Sequence, residues 1–242
     1  MNMERQSLIG VLANTVQQMR CSHPLRVAID GVDAAGKTML ANELALCLRS
    51  AQQEVIQASV DDFHHPEKIR RQKGPLSPEG FYRDSYNYPA LIENLLLPLG
   101  PNGNRQYRTA SFDLHRDRPV NQPFKTAPAD AILLVDGIFL LRPELLPYWD
   151  LTIYIEADFT TTVQRGIARD EEIFGSILKA AHRYRERYVP GQKLYLQESN
   201  PLDRADIIIE NNQIDTPKIL RNLKDPWAES QNRHDKGKNK NG

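Results

Sequence analysis

Hydrophobic residues along the 242-residue chain fall into two rhythms. Five short runs rich in β-branched and apolar residues, at 25–30, 54–60, 131–136, 151–156 and 205–210, predict strands. The run at 131–136 is continuously apolar up to Asp136, as a central strand covered on both faces requires. Helical spacing separates them. Leu8, Ile9, Val11, Leu12, Val16 and Met19 predict an amphipathic N-terminal helix over residues 1–22, packed on the main domain. Met39, Leu40, Leu44, Leu46, Cys47 and Leu48 predict a second helix. Residues 88–97 read as a third, stopped by Pro98, Gly100 and Pro101, and Asp158 opens a helix through Val163, Arg165 and Arg169. A further helix over 177–188 is expected to stop at Val189-Pro190-Gly191. Prolines and glycines make 64–81 mostly loop, and 105–118 reads as a hairpin or an excursion over the site. Strands alternating with helices predict a three-layer α/β/α fold around a five-stranded, mainly parallel sheet with right-handed crossovers. Ligands of such sheets gather at the carboxyl ends of the strands, where Gly31, Asp61 and Asp136 fall.

Between the first strand and the following helix stands Gly31-Val32-Asp33-Ala34-Ala35-Gly36-Lys37-Thr38, a complete G-x-x-x-x-G-K-[ST] phosphate-binding loop. The two glycines let successive backbone N–H groups turn inward around phosphate oxygens, with Met39 continuing the loop into the helix. Lys37 supplies a mobile ammonium, and Thr38 a hydroxyl for Mg²⁺. The strand before and helix after give the motif the context it needs, so a nucleoside triphosphate is the expected ligand.

Composition narrows the partner. The 31 basic and 31 acidic residues cancel, so no overall field draws the chain to nucleic acid or an anionic membrane, and a small-molecule substrate is the expectation. No apolar stretch reaches the ~20 residues that span a bilayer, and no secretory hydrophobic region follows Met1-Asn2-Met3-Glu4-Arg5. Cys21 and Cys47 read as reduced small hydrophobes, in keeping with a cytoplasmic protein. From 226 to 242 the chain is polar and reads as a disordered tail.

Phosphoryl transfer also needs a base, metal coordination and positive charge over the equatorial oxygens. Asp61 and Asp62 are candidates for the base, and Asp136 for holding the metal with Thr38. Arg165 and Arg169, one turn apart, suit a mobile lid over about 165–190. Phe112, Asp113 and His115 mix stacking and hydrogen-bonding groups suited to a base and its sugar. Adjacent His64 and His65 cannot easily face one ion, so no metal centre is read there. A regulatory GTPase would need an Asn/Thr-Lys-x-Asp segment, which the chain lacks. An ATP-driven motor would carry an acidic pair where Gly137 follows Asp136.

Over residues 26–210 the chain resembles the uridine kinase and phosphoribulokinase family of P-loop kinases. The resemblance rests on the phosphate loop, Asp61-Asp62-Phe63, the strand end running from Val135 to Leu141, Arg165-Gly166-Ile167-Ala168-Arg169-Asp170, and Arg185 to Pro190. It implies an ATP- and Mg²⁺-dependent kinase domain over 23–225 acting on a primary hydroxyl, foremost the 5′-OH of uridine or a related nucleoside. It assigns the base to Asp61, phosphate contacts to Lys37, lid roles to Arg165 and Arg169, and metal or hydroxyl contacts to Asp62. Tyr86-Asn87-Tyr88-Pro89 resembles the family's aromatic-Asp-x-Pro segment with Asn87 where a sugar-binding aspartate is usual; either Asp84, three residues earlier, substitutes or Asn87 bonds the hydroxyls more weakly. Phe112-Asp113-Leu114-His115 only echoes the family's Tyr-Asp-Phe-x-x-His, and Asp136 stands where many members carry Glu. Nicotinamide riboside and pantothenate kinases share the fold and are the alternative acceptor classes; a regulatory P-loop ATPase or GTPase is the rival outside the kinases. The resemblance leaves a homo-oligomer open.

Overall fold

A computed structural model describes residues 3–222; the expected tail at 226–242 lies outside them. Six strands form the main sheet: β1 (Leu25–Gly31), β2 (Val55–Ser59), β3 (Ile132–Asp136), β4 (Leu151–Glu156), β5 (Ile207–Glu210) and β6 (Lys218–Asn222). Their spatial order is β6-β5-β4-β1-β3-β2, all parallel except β6, which runs antiparallel to β5. The expected five strands are therefore six. The extra one was hidden because β6 is an edge strand, charged and only partly covered, with Leu220 left exposed.

Each face of the sheet carries its own core. Ile29, Leu134 and Ile153 point to the side covered by α1 (Arg5–Gln18) and α2 (Lys37–Ser50), where Leu8, Leu12, Val16, Leu40, Leu44 and Leu48 are buried. Ala28, Leu133 and Val135 point to an aromatic-rich core built around Phe63, Phe81, Tyr82, Phe139 and Tyr195. Alternation along one strand thus feeds two cores, as a doubly covered sheet demands. An Arg5–Glu43 ion pair at 2.8 Å ties α1 to α2.

Three expectations about helices are corrected. The stretch 64–81, expected to be mostly loop, also carries the start of α3 (Pro78–Asp84), with Ser77 accepting from the Gly80 N–H and proline in the first turn. Asp158 stands at the head of α4 (Phe159–Phe174), yet its side chain makes no cap hydrogen bond. Pro190 does not stop the helix after α5 (Ile177–Arg183). A wide π-type turn at Tyr184–Tyr188 leads straight into α6 (Val189–Ser199), with Pro190 in its first turn. The widened turn relieves the clash a proline ring makes with an α-helical carbonyl. The 105–118 excursion carries two minimal ladders, Gln106–Tyr107 with Lys125–Thr126 and Phe112–Asp113 with Arg118–Pro119.

Candidate active site

Register brings the chemistry together. Asp136 is paired with Ile29 on one side and Ser59 on the other, so the ends of β1, β2 and β3 share one edge of the sheet. The phosphate loop leaves β1 there. Gly36 takes a left-handed φ of 101°, and a Cβ on it would lie 2.6 Å from Asn211 Nδ2. A Cβ on Gly31 would lie 2.5 Å from the Ile155 carbonyl oxygen. Lys37 is only 8% exposed and donates to the Val32 carbonyl at 2.8 Å. Burial pulls its pKa down, and the carboxylates of Asp33, Asp30, Asp136 and Asp61 act against that pull. Met39 follows Thr38 in the first turn of α2 and is partly exposed.

Thr38 Oγ1 donates to Asp136 Oδ2 at 2.5 Å. Burial pushes the Asp136 carboxyl up, opposed by the Thr38 hydroxyl and the Lys37 charge. Gly137 is required at the next position because any side chain would strike Val60. Val60 opens the short 3₁₀ turn Val60–Phe63 that carries Asp61 and Asp62 beyond β2. Residues 84–87 run antiparallel beside this turn: His65 N–H donates to the Ser85 carbonyl at 2.9 Å, and Asn87 N–H to that of Phe63 at 2.7 Å. Tyr86 thereby reaches Asp61, donating its hydroxyl to Oδ1 at 3.0 Å. The ring of His64 lies 4.5 Å from that of Tyr86, and His64 Nδ1 is 2.8 Å from the Asp61 carbonyl oxygen.

Asp61 and Asp62 form one wall of a cleft of about 370 Å³, and Phe112, Asp113, His115 and Gln122 help form the rest. Partial burial, then the charges of Asp61 and Asp136, push the Asp62 carboxyl up to about 6. The Ser111 N–H donates to the Asp62 carbonyl at 2.9 Å and fastens the far wall to the turn. Two predicted acceptor contacts are elsewhere engaged. The Asn87 side chain caps a helical turn by accepting from Ala90 N–H at 3.1 Å. Asp84 faces Lys73 at 3.5 Å and is not part of the cleft lining.

The two arginines of α4 expected to serve a lid take different partners. Arg165 donates to the carbonyls of Asn211 at 3.0 Å and Asn212 at 2.8 Å, stapling the segment after β5 against the loop. From that segment Asn211 Nδ2 donates to the Ala35 carbonyl at 2.7 Å, while its Oδ1 is buried without a hydrogen-bond partner. Arg169 turns to the loop itself, 3.1 Å from Asp33 Oδ1.

No protein-family model matches the chain. Among curated proteins it is similar to the uridine kinase of Brevibacillus brevis, at 26% identity over 194 residues covering 77% of this chain and 85% of that protein. Among solved structures it is similar to a possible uridine kinase from Bacillus stearothermophilus, with TM-score 0.66 and 23% identity over 85% of this chain and 99% of that one. A D-glycerate 3-kinase from Cryptococcus neoformans var. grubii aligns with TM-score 0.59 and 14% identity, over 89% of this chain and 99% of that one. At such identities the two structures speak to the fold alone. The chain is thus similar in sequence to uridine kinases and shares the three-layer fold of these P-loop kinases.

The donor set fits the nucleotide and Mg²⁺ that the phosphate loop implies. Gly31 and Gly36 pack so closely against Ile155 and Asn211 that neither position has room for a side chain, and Lys37 of the same loop is buried. Thr38 and Asp136 offer adjacent hard oxygens of the kind Mg²⁺ takes. By contrast, Cys21, His23 and Asp150 cluster near the opposite end of β1, but both Asp150 oxygens already serve the Arg26 guanidinium at 2.9 and 3.0 Å. The candidate site also draws on side chains to which sequence reasoning gave no role: Tyr86, Asn211, Gln192 and Tyr184. Tyr86 lies in the Tyr86-Asn87-Tyr88-Pro89 segment, but only their partners reveal what the four side chains hold.

Proposed function

We propose that this kinase transfers the γ-phosphoryl group of ATP to the primary hydroxyl of a nucleoside, foremost the 5′-OH of uridine or a close relative. The arrangement of Asp61 carries the reading: a carboxylate at the end of β2, held at one oxygen by Tyr86, opening onto a polar and aromatic cleft. Asp61 Oδ2 takes the proton of the acceptor hydroxyl as the hydroxyl oxygen bonds to the γ-phosphorus, the bond from that phosphorus to the β–γ bridging oxygen breaks, and ADP leaves. Lys37 and the loop amides hold the phosphates, Arg169 screens their charge, and Thr38 with Asp136 would hold Mg²⁺. When bound, the metal supplies positive charge at the bridging phosphate oxygens.

Acceptor charge is constrained too. Asp61, Asp62 and Asp113 line the cleft, and no lysine or arginine does among the described residues. That lining opposes pantothenate, whose carboxylate would face like charge, and it leaves a cationic nucleoside such as nicotinamide riboside as the second reading. The test is ATP consumption against uridine, cytidine, nicotinamide riboside, pantothenate and ribulose 5-phosphate. Nucleosides are expected to be phosphorylated, with Asp61→Asn abolishing turnover and leaving ATP affinity within about threefold. Acceptor-independent hydrolysis, or preference for an anionic acceptor, would overturn the reading.

A further inference from the structure

Asp33 is an acid in a loop built to hold anions. Its carboxylate opposes bound phosphates, so its partners explain its presence. Arg169 Nη2 lies 3.1 Å from Asp33 Oδ1, and the Tyr184 hydroxyl lies 2.8 Å from Oδ2. The same hydroxyl is 2.9 Å from Asp170 Oδ2, so one proton is shared between two carboxylates, while Arg169 donates to the hydroxyl at 3.2 Å. Asp170 in turn takes Arg169 Nε at 2.7 Å and Nη2 at 3.0 Å. On the other side, the Asp33 N–H donates to Gln192 Oε1 at 2.6 Å. Three parts of the lid therefore meet one loop residue: α4 through Arg169, the wide turn through Tyr184, and α6 through Gln192. Gly166 belongs to the same arrangement, because any Cβ there would occupy the position of the Tyr184 hydroxyl.

We propose that Asp33 and Tyr184 are positioning residues for Arg169, fixing the lid arginine to the phosphate loop before phosphates arrive. The inference rests on the kinase reading, in which Arg169 screens the transferred group. An arginine side chain that is half exposed, as Arg169 is at 54%, otherwise samples many rotamers. Holding it in advance removes that ordering from the catalytic step. Burial pushes the Asp33 carboxyl up, but the charges of Arg169 and Lys37 and the Tyr184 hydroxyl outweigh it, and the net shift is downward. The carboxylate is thus kept ionised and able to hold the guanidinium.

Hydrogen exchange of residues 159–174 in the nucleotide-free full chain tests this directly, compared among wild type, Y184F, D33N and R169A. Both Y184F and D33N are expected to speed exchange there by about tenfold. Neither is expected to add to R169A when combined with it, because all three break one interaction. In turnover on the best acceptor, Y184F is expected to lower kcat by about tenfold with KM for ATP within about threefold. Unchanged exchange in both single variants, or full additivity with R169A, would overturn the positioning role and leave the kinase reading intact. If exchange responds as expected while R169A turns over like wild type, the positioning stands and the screening role of Arg169 falls.

Discussion

Tyr86 fixes one oxygen of Asp61, the base in the proposed function, through a single hydroxyl. Its ring is buried, its oxygen is 3.0 Å from Asp61 Oδ1, and the backbone pairing of residues 84–87 with 63–65 leaves it little freedom. Burial first, and then the Asp61 charge, raise the tyrosine well above its usual pKa, so it remains a donor throughout the working pH range. Y86F removes one oxygen and keeps the ring. The expected result is a fall in kcat of about ten- to a hundredfold with ATP binding little changed, read from steady-state kinetics. Wild-type kcat in Y86F would mean that Asp61 orients itself. Sequence could identify Asp61 as a candidate, because an acid after a strand beside a phosphate loop is a local pattern. It could not find the donor, because Tyr86 is 25 positions away and reaches Asp61 through chain pairing.

Among the elements, the join between β1 and α6 is the most electrostatically demanding. Asp30, fully buried at the end of β1, accepts from the Gly31 N–H at 2.7 Å, the Leu141 N–H at 3.0 Å and the Tyr195 hydroxyl of α6. Leu141 is brought there by a turn through Phe139, which holds a left-handed φ of 66° while its ring packs 5.0 Å from Tyr195. Burial pushes Asp30 up to about 6 from an ordinary 3.8, although these donors and Lys37 favour its charged form. Between about pH 4 and 6 the folded chain therefore keeps a proton that the unfolded chain has released, and the contribution of Asp30 to stability falls as pH rises through that window. Y195F takes away one donor to a buried carboxylate. A loss of about 2 kcal/mol in unfolding free energy at neutral pH is expected in denaturant melts, with the falling window extended to higher pH. A stability curve unchanged in size and pH dependence would show that Asp30 does not rely on α6. The continuity of α6 itself was illegible: proline at 190 is a sound stop signal locally, and the wide turn that accommodates it forms only with Tyr184 seated against Gly166 and Asp33.

On the scale of the whole molecule, the two arginines of α4 bind different parts of the structure, and under the proposed function they divide the work of a lid. Arg165 braces the wall formed after β5, whose Asn211 crowds Gly36, while Arg169 bonds to the loop. Sequence treated them as equals because they lie four apart on one helix. R165A is therefore expected to raise KM for ATP by about tenfold with kcat nearly retained, whereas R169A is expected to act mainly on kcat. Steady-state kinetics on both variants checks this, and equal effects on the same constant would contradict the division.

Local chemistry was enough for the parts that depend on neighbours in the chain. Strand and helix periodicity, the glycines and lysine of the phosphate loop, and the acids at strand ends all follow from backbone geometry and side-chain type within a few residues. The three-layer fold follows from the same periodicity. Tertiary structure alone decided what those residues meet: a sixth strand with too little burial to mark itself, Asn87 spent on a helix cap, Tyr86 on Asp61, and Asp33 bonded to the lid. Each of those contacts joins positions far apart in sequence, and its energy comes from burial and directed hydrogen bonds that exist only once the layers have packed.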